Sequence, residues 1–183
     1  MSIFNLIRKF VFNIKSFYLI LKTIIMESKA KYTAEQIANW FLLKTDDDAG
    51  DVLTNLKLQK LLYYAQAWYL VFFKKPLFDD EFQAWTHGAV IPSIYQKFRE
   101  FTYNPIKTSI NIVDIDTETE KLLNDIMNIY GEKSAKYLEK LNHSESPWID
   151  ARGSLSIESR CTNIITKEVM KDFYTKLYEN AKE

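Results

Sequence analysis

Cys161, His87 and His143 are the side chains with which this chain could do covalent or ligating chemistry. A thiol beside an imidazole makes an activated nucleophile, yet nothing local to Cys161 resembles a nucleophile motif. One cysteine and two histidines also fall short of the four nitrogen and sulfur ligands of a structural zinc site. The run Asp46-Asp-Asp-Ala-Gly-Asp51 offers oxygen ligands instead. An EF-hand loop beginning at Asp46 needs a Glu at its twelfth position, where this chain has Lys57, so that reading fails. Four glycines cannot supply G-x-G-x-x-G or a P-loop here, and no G-x-S-x-G elbow occurs. The sequence therefore predicts no catalytic residue, no cofactor and no metal: a protein that is not an enzyme.

What remains is the chemistry of contact. Lys57, Lys60, Tyr64 and Gln66 lie off the main apolar stripe of a helix that starts at Thr54. They form either a solvated face or part of a partner-binding surface, since tyrosine is enriched at interface hot spots. His87, next to Gly88 in a turn, either bonds a backbone carbonyl or joins that surface. In His143-Ser-Glu-Ser-Pro-Trp148, His143 and Glu145 are expected to tether a turn while Trp148 anchors it. Trp40, Trp68 and Trp85 read as core, because large aromatics dominate interior packing.

These residues need helices to carry them. Thr33-Ala-Glu-Gln36 is a capping box, followed by an apolar face of Ala34, Ile37, Ala38 and Phe41. Thr54 caps the next helix, with Leu58, Leu61, Leu62, Ala65, Tyr69 and Phe72 along one side. A second stripe of Leu56, Tyr63, Ala67 and Leu70 makes this the central helix, and Lys74-Lys-Pro76 closes it. Glu81–Trp85 and Thr108–Val113 alternate as short strands. Pro92 sits at the first position of a further helix. Thr117-Glu-Thr-Glu120 reads as a second capping box, before Leu122, Leu123, Ile126, Ile129 and Tyr130. Ser134 begins a helix with Tyr137, Leu138 and Leu141, Ser146 caps a turn before Pro147, and Thr166 begins the last helix with Met170, Phe173, Tyr174 and Leu177 inward. The predicted fold is mainly α: a single compact helical domain with a small subordinate sheet or hairpin.

Arg8, Lys9, Lys15 and Lys22, with no acid, give residues 1–25 a charge of +4. The chain's 24 basic and 24 acidic residues balance, so the rest carries −4. No basic cluster follows residue 26, which argues against nucleic acid as a partner. On a helix Arg8, Lys15 and Lys22 share a side, as suits an extension lying on a membrane surface or a partner. The apolar stretches are too interrupted to span a bilayer, and no signal-peptide cleavage site follows them. Equally, Met26 reads as a natural start, with residues 1–25 an over-extended gene start and 26–183 the domain. The single cysteine fits a reducing cytoplasm.

Leu56-Lys-Leu-Gln-Lys-Leu-Leu-Tyr-Tyr-Ala-Gln-Ala-Trp68, Pro76-Leu-Phe78, Ala84-Trp85 with His87-Gly88-Ala-Val90, and His143-Ser-Glu-Ser-Pro-Trp148 together resemble the Panacea domain, the SocA-like family of antitoxin and phage-associated proteins. The likeness runs from about Thr33 to the last helix. It implies a scaffold role for Leu58, Leu61, Leu62, Trp68, Trp85, Gly88, His143, Pro147 and Trp148. It implies, too, an antitoxin that binds a cognate protein toxin encoded by the adjacent gene. The alternatives are an adaptor delivering a bound protein to a protease, or a phage-associated interaction protein without a toxin. One departure stands out: the family's turn is usually Gly-Pro-Val, and this chain has Gly88-Ala89-Val90, whose backbone is freer.

Overall fold

The Thr33 hydroxyl accepts from the Gln36 amide, and the Gln36 side chain accepts from the Thr33 amide, closing the capping box that opens α1 (Ala34–Lys44). The computed structural model describes residues 30–45, 53–110 and 113–181. Within them α1 is followed by α2 (Asn55–Phe73), β1 (Phe82–Trp85), β2 (Gly88–Val90), α3 (Pro92–Lys97), a 3-10 turn (Arg99–Phe101), α4 (Thr117–Ile126), a π turn (Met127–Gly131), α5 (Ala135–His143), α6 (Ser146–Arg152), β3 (Ile164–Ile165) and α7 (Lys167–Asn180). The protein is mainly α, with seven α-helices and one three-stranded antiparallel sheet among the described residues. The acidic run 46–51 and the basic extension 1–25 lie outside those residues.

Helix α2 is the axis of the fold. Thr54 caps it through the Lys57 amide, and Lys74 ends it in the left-handed conformation at φ 60°. Leu58, Leu61, Leu62, Tyr63, Tyr64, Ala65 and Ala67 are fully buried, so α2 is covered around most of its circumference. Helices α1, α4, α5 and α7 and strand β2 pack around it. Much of the high aromatic content is spent here. Tyr64 stacks on Tyr130 with centroids 4.1 Å apart, Tyr63 meets Phe82 edge-on at 5.4 Å, and Trp68 meets Tyr174 edge-on at 5.3 Å. Such pairs add roughly 0.5–1.5 kcal/mol each beyond the area they bury.

Strand β1 is central in the sheet order β2-β1-β3, with Ala84 opposite Ala89 and Phe82 opposite Ile165. The described residues of the expected strand at Thr108–Val113 are not in a strand: 108–110 and 113 pair with none, and 111–112 lie outside the description. This segment is tied instead to the start of α2, through Ile106 N–H to the Leu53 carbonyl and a bridge between Thr54 and Pro105. Alternation over so few residues fits an extended loop equally well. The sheet's third strand is Ile164–Ile165, too short to carry a pattern.

Two caps fall one residue earlier than expected. Asp116, not Thr117, caps α4, accepting from the Thr119 amide at 3.0 Å and the Thr119 hydroxyl at 2.7 Å. Burial opposes its ionisation, yet Tyr32, Thr119 and Lys31 hold its carboxyl well below the usual carboxylate range. Likewise Glu145 occupies the N-cap of α6 without capping it, and Ser146 is already helical. The π turn after Ile126 widens the helix, which leaves Ile129 exposed while Tyr130 faces α2. Phe72, Tyr137 and Leu177, expected inward, are also about half exposed.

Candidate functional site

The polar residues of α2 point into the protein. Lys60, Tyr64 and Gln66 are fully buried, so the contact rim expected from their polarity does not exist. Each meets backbone, or aromatic rings, where water was anticipated. Gln66 accepts from the Leu77 and Phe78 amides at 3.0 and 3.2 Å and donates to the Phe78 carbonyl at 3.3 Å. Gln59 accepts from the Ile91 amide at 2.8 Å while donating to Asn55. Lys60 donates to the Ala89 carbonyl at 3.0 Å. Short strands leave backbone groups unpaired, and buried ones must be satisfied; α2 supplies the partners. Lys57 is half-buried on the same helix.

Gly88 holds the tightest point. Its φ is +95°, and a Cβ there would stand 2.5 Å from Lys60 Nζ and 2.7 Å from Asn142 Oδ1. Asn142 accepts from the Ala89 amide at 2.6 Å and donates to Glu145 at 3.2 Å. This explains how the chain uses its departure from the Gly-Pro-Val turn: Ala89 has an N–H to give, which proline lacks. Burial pulls the Lys60 amine down to about 7, against the Glu139 and Glu145 carboxylates. It pushes the Glu145 carboxyl up to about 7, against the pull of Tyr174, Asn142, Tyr63 and Tyr64. Those three tyrosine hydroxyls bias the carboxyl without meeting hydrogen-bond geometry.

A pH-dependent stability follows. Because the folded Glu145 keeps its proton up to about 7 and the unfolded one loses it near 4.5, native stability from this group falls as pH rises between those values. Glu145→Gln removes that loss. Urea unfolding should show the variant gaining on the wild type by about 2–3 kcal/mol from pH 5 to 7.5. A difference that stays flat with pH would contradict it.

The third motif anchors the hairpin from below. His143 stacks on Trp148 with centroids 4.2 Å apart, and burial keeps its imidazole below the usual range against the Glu139 carboxylate. Trp148 donates to the Trp85 carbonyl at 3.0 Å. Pro147 and Trp148 are buried. Trp68, partly buried, donates to the Tyr130 hydroxyl at 3.0 Å. Leu58, Leu61 and Leu62 are core.

The hairpin's other side opens on a groove of about 940 Å³. Trp85, stacked edge-on with Tyr95 at 5.0 Å, and Tyr103, 93% exposed, give it aromatic walls. Arg99, Lys136 and Arg160 line it as cations, and Glu139 as its carboxylate. Glu139 accepts from Lys136 at 2.8 Å and contacts His87 Nδ1 at 3.3 Å. Burial alone would push its carboxyl up, but these neighbours hold it below the ordinary value. Of the five residues expected to bind a partner, His87 is thus the exposed one on this groove. Arg99, Tyr103, Lys136, Glu139 and Arg160 were missed because three distant stretches bring them together, and no spacing within any one stretch marks them. Cys161 is buried in the wall, with no hydrogen bond to either histidine among the described residues. Those residues contain no group of three or more His, Cys, Asp or Glu able to hold a metal ion. Nor do they contain a helix long and apolar enough to cross a membrane.

Three comparisons bear on what this architecture is for. The family model described as antitoxin SocA-like, Panacea domain, matches residues 58–149. That is a shorter reach than the motifs implied, but it holds α2 from Leu58, the hairpin, α5 and most of α6. The antitoxin SocA of Caulobacter vibrioides (strain NA1000 / CB15N) is 33% identical over 132 residues, covering 63% of this chain and 68% of that protein. No solved structure matches. The polar helix clamped on its hairpin, the glycine turn beneath it and the His-to-Trp anchor all lie inside the matched span, and the chain belongs to the SocA-like antitoxin family that carries the Panacea domain.

Proposed function

We propose that this chain is an antitoxin, not an enzyme, and that it neutralises a protein toxin by binding it directly. The observation that carries the reading is the family match across residues 58–149, together with 33% identity to an antitoxin. The buried roles of Lys60, Tyr64 and Gln66 support a division of labour in which the motif helix builds the fold and more exposed elements meet the partner. We take the toxin to be the product of the adjacent gene, the site of action to be the cytoplasm, and the working unit to be residues 26–183.

Co-expression tests this. Inducing the neighbouring gene alone should arrest growth; adding this chain should restore it, with the two proteins co-purifying at unchanged toxin levels. Growth that stays arrested, with no complex recovered, would refute the reading. A toxin level that falls only when a cellular protease is present would turn the mechanism into delivery for degradation. Deleting residues 2–25 should leave rescue intact, and a loss of rescue would show that the extension belongs to the active protein.

A further inference from the structure

The groove beside the hairpin carries charge that the fold does not use. Among the described residues no carboxylate pairs with Arg99 or Arg160; Arg99 Nη1 donates to the Gln96 amide oxygen at 3.3 Å. Both residues are exposed. The groove's carboxylate, Glu139, is 8% exposed in its side chain and already neutralised by Lys136. The wall therefore presents two guanidinium groups beside the exposed Tyr103 ring and the half-buried Trp85 ring, on a body whose charge outside residues 1–25 is −4. A surface of opposite sign to its own domain selects a partner by charge and speeds the encounter. Arginine and aromatic side chains in a concave site are also the residues that carry most binding energy at interfaces.

We propose that this groove receives an acidic, aromatic- or aliphatic-bearing peptide segment of a partner protein, with its carboxylates on Arg99 and Arg160 and an apolar side chain between Trp85 and Tyr103. The proposal deepens the antitoxin reading and rests on it for the partner's identity. A protein segment is favoured over nucleic acid for two reasons. Two guanidinium groups without a carboxylate partner among the described residues do not make a phosphate-tracking stripe, and Glu139 lies within the same wall.

The test uses the full chain and two dye-labelled twelve-residue peptides, read by fluorescence anisotropy. One alternates Glu and Asp with Leu and Phe; the other has every acid replaced by Lys. A twelve-nucleotide thymidine strand is the third probe. The acidic peptide is expected to bind at least tenfold more tightly than either competitor, with an affinity that falls as salt rises. The double change Arg99→Glu with Arg160→Glu should abolish that preference, and Tyr103→Ala should weaken binding several-fold. Leu177→Glu, on the exposed side of α7, should change nothing. All four positions are exposed, so unchanged thermal melts are expected. Equal binding of both peptides, a preference for the thymidine strand, or a preference that survives the reversals would overturn the proposal. The antitoxin reading is judged apart, by co-purification with the neighbouring gene's product. A complex indifferent to the reversals would sink the groove and spare the antitoxin. Peptide binding at the groove without any such complex would do the opposite.

Discussion

Arg152→Met is expected to cost about 3 kcal/mol of stability. Arg152 is 3% exposed and lies over the Trp148 ring at 4.8 Å. Its guanidinium donates to the Ala84 carbonyl at 2.8 Å, and from one nitrogen to the carbonyls of Ser156, Ile157 and Ser159 at 2.5, 3.2 and 2.7 Å. Charge-assisted hydrogen bonds of this kind contribute roughly 1.5–3 kcal/mol each. Two effects pull the sum down. Methionine also removes the cost of burying a cation, and the carbonyls at Ser156 and Ile157 can turn to water. The Ala84 carbonyl cannot, because it sits in the central strand. Equilibrium urea unfolding should show the midpoint fall at an unchanged slope. Arg152→Lys should recover less than half of the loss, since an ammonium group lacks the planar fork that reaches several acceptors together. Full recovery by lysine would mean that charge, not geometry, holds the loop. The same substitution should speed hydrogen exchange at Ser156–Thr162, because that loop is gathered around the guanidinium. Arg160 and Cys161 stand on it, so the groove would loosen with the fold.

How far the molecule could be read from its sequence depends on what each pattern measures. The stripe Leu58, Leu61, Leu62, Ala65 and Tyr69 located the central helix because burial against several neighbours demands apolar side chains at helical spacing. The caps at Thr33, Thr54, Ser134 and Thr166 were legible because a side-chain oxygen placed before a helix has a single local task. Lys60 and Gln66 misled for a physical reason. A binary pattern treats polarity as solvent exposure, yet these side chains satisfy backbone groups of the hairpin and of the Leu77–Phe78 turn. The second apolar stripe, Leu56, Tyr63, Ala67 and Leu70, already hinted that α2 is covered on more than one side. The groove lay beyond reach. Arg99, Lys136 and Arg160 become neighbours through the packing of the hairpin, α5 and the loop before β3, and periodicity within one segment carries no trace of that.

Gly88→Ala should destabilise the protein by about 2–4 kcal/mol, although it adds one methyl group. Two costs combine. At φ +95° an L-residue is strained wherever it sits. The new Cβ would also meet Lys60 Nζ at 2.5 Å and Asn142 Oδ1 at 2.7 Å. A lysine tip normally yields to a methyl group with little penalty. This one is fully buried and donates to the Ala89 carbonyl at 3.0 Å, so moving it breaks a bond that has no water to replace it. Asn142 is no freer: it accepts from the Ala89 amide and donates to Glu145. Lys60→Met in the Gly88→Ala background separates the two costs. If the clash with the amine matters, the combined loss will be smaller than the sum of the separate losses, by about 1 kcal/mol in a double-mutant cycle. Strict additivity would assign the penalty to backbone strain and the Asn142 contact, with none to the amine. A Gly88→Ala protein as stable as the wild type would mean that the hairpin turn does not rest on Lys60 and Asn142 at all. The consequence for function runs through the same contact: His87 is carried by this turn on the groove side, so a turn pushed off α2 would carry that wall of the groove with it.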